Sequence, residues 1–244
     1  MSSRNRQPGR PRSRPVTAAR AGRAAAGRRN LLICLGVVVV LLLGIAVALV
    51  LDRSGEPTAA AAEDTTAAAA IAARPDSHRL SDVADGRVTF VEFLDFECEA
   101  CGAFYPYVEQ LRQQYGDRVS FVVRFFPISS HFNAERAARA VEAAAAQGRF
   151  EDMYSRMYET QSQWGEQRVP KDDLFRSFAV DLGLDMTAWD QAYQDPATLE
   201  RINADVADGR ALGVQGTPSF FINGQRLQPQ SFQDLTDALD RALG

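Results

Sequence analysis

The sequence predicts an α/β domain carrying a helical insertion and preceded by one transmembrane helix. Three observations predict it: an uninterrupted apolar run at 31–51, a strand–helix–strand pattern over 87–126, and some 80 helical residues before a closing hairpin and helix. With 244 residues, 46% hydrophobic and 24% charged, the chain can fill one domain and carry appendages.

Residues 1–30 hold nine arginines and no acid, which leaves 18 basic and 31 acidic residues, a balance of −13, for the remainder. The run LLICLGVVVVLLLGIAVALVL has 21 residues. At about 1.5 Å per helical residue it spans roughly 30 Å, the thickness of a bilayer hydrocarbon core. It exceeds the apolar core of a cleavable signal peptide, and the arginines before it favour a cytoplasmic N-terminus. The expectation is a basic cytoplasmic tail (1–30) and a single-pass helix in the cell membrane (31–51), with everything after it extracytoplasmic. Topology and anionic lipid head groups account for the basic tail without nucleic acid. Residues 52–77 lack aromatics and nearly all bulky apolar groups, and read as a flexible Ala-rich tether.

The packed domain is expected from 78 to 244. In RVTFVEFLDF (87–96), Val88, Phe90, Leu94 and Phe96 share one face and Val91 and Phe93 the other, the mark of a central strand covered on both sides. Glu92 falls in the middle of the first face, where a carboxylate is costly unless it has a task or a partner. From Cys98 to about Tyr115 the spacing is helical, with Cys101, Phe104, Val108, Leu111 and Tyr115 as the buried stripe and Pro106 inside it. RVSFVVRFF (118–126) alternates as a second strand, so the unit is a parallel crossover. A helical block follows over about 130–213, with Trp164 and Trp189 as core. PSFFIN, the Asn223–Gly224 turn and QRLQ then read as a hairpin, and a final helix is capped at Ser231.

Cys98 and Cys101 form a C-x-x-C pair at the start of the first helix; the third cysteine, Cys34, lies in the apolar run. A structural zinc site needs four ligands, and the exported part offers only His78 and His131 besides these two thiols. A structural staple is permitted in oxidising surroundings, yet closing so short a loop stabilises little. A redox couple explains the placement: the helix N-terminus favours a thiolate at an accessible Cys98, while the sheltered Cys101 resolves the exchange.

VEFLDFECEAC, Pro106 and GTPSFFING together resemble the thioredoxin-fold proteins, and the helical block before GTPSFFING resembles their DsbA branch, bacterial thiol–disulfide oxidoreductases acting outside the cytoplasm. The resemblance covers about residues 80–244. It implies a thioredoxin-like fold and a redox-active Cys98–Cys101 disulfide without metal or other cofactor. It also implies a cis-proline at 218, whose loop packs on the disulfide and whose Thr217 backbone pairs with substrate polypeptide. Reduced exported proteins would be the substrates, and a quinone-linked membrane reoxidase of the DsbB or vitamin K epoxide reductase type the partner. Glu92 sits where the family keeps a buried acid, a proton relay for Cys101; the alternative is an ion pair with an interior arginine such as Arg124. Glu99-Ala100 replaces the Pro-His of the strongest oxidants, so Glu97 and Glu99 are expected to raise the Cys98 pKa and make a milder oxidant. His131 either lines the substrate groove or packs a helix start. The oxidase direction is favoured over reductase or isomerase; a non-enzymatic peptide-binding module is the reading from another class.

Overall fold

A computed structural model describes residues 59–84 and 87–244. The expected tail, the apolar run 31–51 and Cys34 lie outside the described residues. The localisation built on them, a single-pass cell-membrane protein with an extracytoplasmic domain, is corrected: among the described residues no helix is long and apolar enough to cross a membrane.

Five strands form one sheet in the order β1-β3-β2-β4-β5. They are β1 (His78–Ser81), β2 (Val88–Leu94), β3 (Val119–Phe125), β4 (Ser219–Ile222) and β5 (Gln225–Arg226). The central pair, β2 and β3, runs parallel with Glu92 beside Val123 and Phe93 beside Arg124; the other pairings are antiparallel. β2 and β3 are linked by α2 (Glu99–Tyr115), and α1 (Ala59–Ala72) precedes the sheet. Between β3 and β4 lie α3 (Ala134–Ala145), α4 (Phe150–Glu159), α5 (Gln161–Trp164), α6 (Asp172–Asp181), α7 (Met186–Gln194) and α8 (Pro196–Ala211); α9 (Phe232–Leu243) closes the chain. Asn223 and Gly224 both have positive φ, 50° and 80°, the turn geometry that an Asn-Gly pair supplies between β4 and β5.

The pleat divides the interior into two cores. Val88, Phe90, Leu94, Phe121, Val123, Phe125 and Phe220 pack with Cys101, Val108 and Leu111 of α2, Tyr154 of α4 and Leu235 of α9. On the other side Val91, Phe93, Val122 and Phe221 pack with Val206 of α8 and Ala72 of α1. Trp164 and Trp189 are buried within the helical block, and alanines line the inner face of α3.

The stretch expected as a tether is in part a docked helix. Arg124, wholly buried, donates from one guanidinium nitrogen to the carbonyls of Ile71 (2.7 Å) and Ala72 (2.8 Å). It pairs with Asp205 (2.8 Å) and Asp208 on α8, and Asp208 also takes Arg74. α1 lies so close to the β4–β5 turn that a Cβ on Gly224 would come within 2.4 Å of the Ala69 nitrogen. Backbone carbonyls make this attachment together with the buried Ala72, and composition does not report it. β1 is likewise an element that periodicity missed; its His78 stacks on Phe150 (4.1 Å) and meets Glu142 at 2.6 Å.

Candidate active site

Where β2 ends, the chain turns through Asp95–Glu97 and enters α2 with Cys98 as the extended N-cap residue, φ −68° and ψ 117°. The turn is pinned from both sides. Asp95 accepts the N–H groups of Glu97 and Ile128 at 2.8 Å each. Gln161, brought in by the helical block, donates to the carbonyls of Phe96 (2.7 Å) and Cys98 (2.8 Å). Gly102 leaves room for this clamp: a Cβ there would overlap the Gln161 amide.

Cys98 and Cys101 are free thiols. Cys98 retains 9% of its surface and Cys101 none, so Cys98 is more covered than an open nucleophile. Its cover is the loop before β4. The Thr217–Pro218 peptide bond is cis, and the Cys98 thiol donates to the Thr217 carbonyl at 3.4 Å. The Cys98 pKa is drawn down to about 6: the Cys101 thiol bonding to its sulfur is the largest cause, burial opposes it, and the N–H groups of Ala100 and Cys101 add to the fall. Burial and the adjacent Cys98 sulfur push the Cys101 thiol well up. Two neighbouring thiols are thus driven apart in acidity.

Neither of the acids expected to raise the Cys98 pKa is among the largest influences on it. Glu99 is exposed, and Glu97 is buried with its carboxylate turned to the Asn133 N–H at the start of α3. A cation stands nearby that the sequence did not reveal. His131 Nδ1 lies 2.7 Å from the Asp95 carboxylate. That bond, against the cost of burial, lifts the His131 pKa to about 9, with the Cys98 charge contributing. His131 sits on the rim of a cleft of about 840 Å³ that also exposes Phe132, Arg136, Arg139 and Arg210. Asp95, Gln161 and the His131–Asp95 pair were missed; the aspartate in FLDF was the available signal.

Glu92 lies beneath the thiols on the α2 side of the sheet, 3% exposed. It forms no ion pair with Arg124, which is on the opposite face over the Phe93 ring (5.4 Å) and is occupied by Asp205 and Asp208. Burial, then the charges of Cys98 and Glu109, push the Glu92 pKa up to about 8. The structure thus brings Cys98, Cys101, Glu92 and Thr217–Pro218 into one neighbourhood. Among the described residues no group of three or more His, Cys, Asp or Glu side chains is arranged to hold a metal ion.

The architecture has known counterparts. A thioredoxin-like oxidoreductase from Silicibacter pomeroyi superposes with a TM-score of 0.59 at 28% identity, over 69% of this chain and 92% of that one. The alpha-DsbA1 of Wolbachia pipientis superposes with a TM-score of 0.63 at 19% identity, over 70% and 93%. The Na(+)/H(+) antiporter NhaA 1 of Mycobacterium sp. (strain KMS) is 33% identical over 157 residues, 62% of this chain, but this chain spans only 24% of that relative's length. The family model described as Thioredoxin matches residues 83–241, well over half of the sequence, and on that match the chain belongs to the thioredoxin family.

Proposed function

We propose that this thiol–disulfide oxidoreductase oxidises dithiols in protein substrates, with Cys98 as the exchanging sulfur and Cys101 as its resolving partner. One observation carries the reading: a thiol at a helix N-terminus, acidified to about 6, faces a fully sheltered thiol and the Thr217 carbonyl. In the oxidised enzyme a substrate thiolate attacks Cys98 Sγ, the Cys98–Cys101 bond breaks, and Cys101 leaves as a thiolate. The carboxyl of Glu92 supplies its proton. The second substrate thiolate attacks its own sulfur in the mixed disulfide and releases Cys98 as a thiolate. The substrate gives up two electrons, which the Cys98–Cys101 pair now holds.

The direction is favoured by the stability of the leaving thiolate. A low Cys98 pKa stabilises the reduced pair and makes its disulfide more oxidising. At about 6 it stands above the value near 3.5 known for DsbA, so the oxidant is milder than DsbA itself. The Thr217–Pro218 loop offers an edge for extended substrate polypeptide, and the cleft beside His131 leaves room for the flanking chain. A reoxidase, of the quinone-linked DsbB or vitamin K epoxide reductase type, would restore the disulfide.

The test is oxidation of a reduced dithiol peptide by the disulfide form, with Cys98→Ala and Cys101→Ala alongside. The reading expects no oxidation by either variant, and a mixed disulfide through Cys98 when Cys101→Ala is instead given the disulfide form of the peptide, whose other sulfur leaves as a thiolate. Peptide binding without exchange in the unmodified chain marks a binding module instead.

A further inference from the structure

The proton that Glu92 exchanges has to reach solvent from a fully enclosed site, and the front core holds a row of polar groups suited to carry it. Cys101, Tyr105, Glu109 and Arg112 recur at spacings of four, four and three on α2, so they line one face of that helix. From Cys101 to Arg112 the row runs on the order of 16 Å. Against it pack Tyr154 and Tyr158, one turn apart on α4. The Tyr105 ring stacks on Tyr158 at 5.1 Å and meets Tyr154 at 5.6 Å, and the two α4 rings are 5.3 Å apart.

Three polar atoms in this cluster are buried without a hydrogen-bond partner: the hydroxyls of Tyr154 and Tyr158 and Oε1 of Glu109. Orphaned groups of this kind are uncommon, and each calls for a physical reason. A hydroxyl both donates and accepts, so a row of them passes a proton while remaining neutral. At the outer end, Glu109 Oε2 accepts from Arg112 at 2.7 Å, and Arg112 meets the half-exposed Glu151 at 2.6 Å.

We propose that Tyr158, Tyr154 and Glu109, linked by water, form the exit route by which Glu92 exchanges its proton with solvent along the α2–α4 seam. The route rests on the relay role proposed above for Glu92. The groups sense one another: Tyr158 responds to the charges of Cys101 and Glu92, Tyr154 to those of Glu92 and Glu109, and Glu92 to that of Glu109. Burial keeps both phenols protonated, as carriers require. As substrate is oxidised, Cys101 gains the proton that Glu92 loses and the route returns one proton from solvent to the Glu92 carboxylate; as the pair is reoxidised, Glu92 passes a proton out by the same route and takes the one that Cys101 gives up.

The experiment is multiple-turnover oxidation of a reduced dithiol peptide by the full chain with a fast chemical reoxidant, in water and in deuterium oxide. It compares Glu109→Gln, the double variant Tyr154→Phe/Tyr158→Phe, and Glu92→Gln, each checked for cooperative unfolding. The route predicts that multiple turnovers with a fast chemical reoxidant slow by about tenfold in the first two, with a larger solvent isotope effect, a modest share of what a general acid contributes. Wild-type rates and isotope effects in both, with Glu92→Gln still slow, overturn the route and leave the Glu92 role standing. A wild-type rate in Glu92→Gln removes that role and the route with it. Should the tyrosine double variant fail to fold, Glu109→Gln at the outer end decides alone.

Discussion

The two faces of the sheet each bury a charge-bearing side chain on neighbouring central strands, and they treat it in opposite ways. Behind the sheet, Arg124 is wholly enclosed and bonded to Asp205, Asp208 and two carbonyls at the end of α1. In front, Glu92 is equally enclosed, has no ion-pair partner among the described residues, and is held protonated up to about pH 8. A buried charge bonded to two carboxylates and two carbonyls ties elements of the fold together. A buried acid left unpaired keeps a titratable proton near neutral pH, and here it lies beneath two thiols whose acidities are split.

Breaking the rear network is expected to have the largest effect on stability. Arg124→Met takes the buried partner from Asp205 and Asp208, leaving them only Arg201 and Arg74 at the margin, and unties α1, at a cost of about 3 kcal/mol in denaturant unfolding. Exchange rates measured well below the melting temperature should remain within about twofold of wild type. A large loss of rate with an intact fold would show that the rear face also serves the chemistry.

Glu92→Gln is expected to act in the opposite sense. The folded chain holds the Glu92 proton more tightly than the unfolded chain does, so stability falls as pH rises from the ordinary carboxylate range through about 8. Glutamine removes that fall and should stabilise the protein at about pH 9 by on the order of 5 kcal/mol relative to wild type. No difference should appear near pH 4. Unfolding curves at the two pH values check this, and equal pH profiles would mean Glu92 is not held neutral.

A smaller effect is expected at His131. Its imidazolium is held by Asp95 and further favoured by the charge of Cys98. His131→Ala should raise the Cys98 pKa by roughly one pH unit. The rate of alkylation against pH reads this directly, and an unmoved midpoint would assign His131 to packing at the loop before α3.

The front of the fold was legible because its signals are local. Alternation marked β2 and β3, 3–4 spacing marked α2, and Asn-Gly marked the hairpin. The C-x-x-C pair and Thr217–Pro218 marked the site, although 116 residues separate Cys101 from Thr217. What stayed hidden depends on register and long-range pairing. Glu92 could be assigned to Arg124 or to the thiols only once β2 was aligned to β3. The surroundings of Cys98 were hidden because charge counts along the chain ignore direction: Glu97 turns to Asn133, while Asp95 recruits His131 from 36 residues away. The docking of α1 escaped because alanine composition says nothing about which carbonyls an arginine will find.

The acidity of Cys98 tests the account most directly. Thiolate absorbance of the reduced protein, titrated in wild type and in Cys98→Ala, should show one transition near pH 6 that the substitution abolishes. A first transition at or above the unperturbed thiol value of about 8.5, or one that survives in Cys98→Ala, contradicts it.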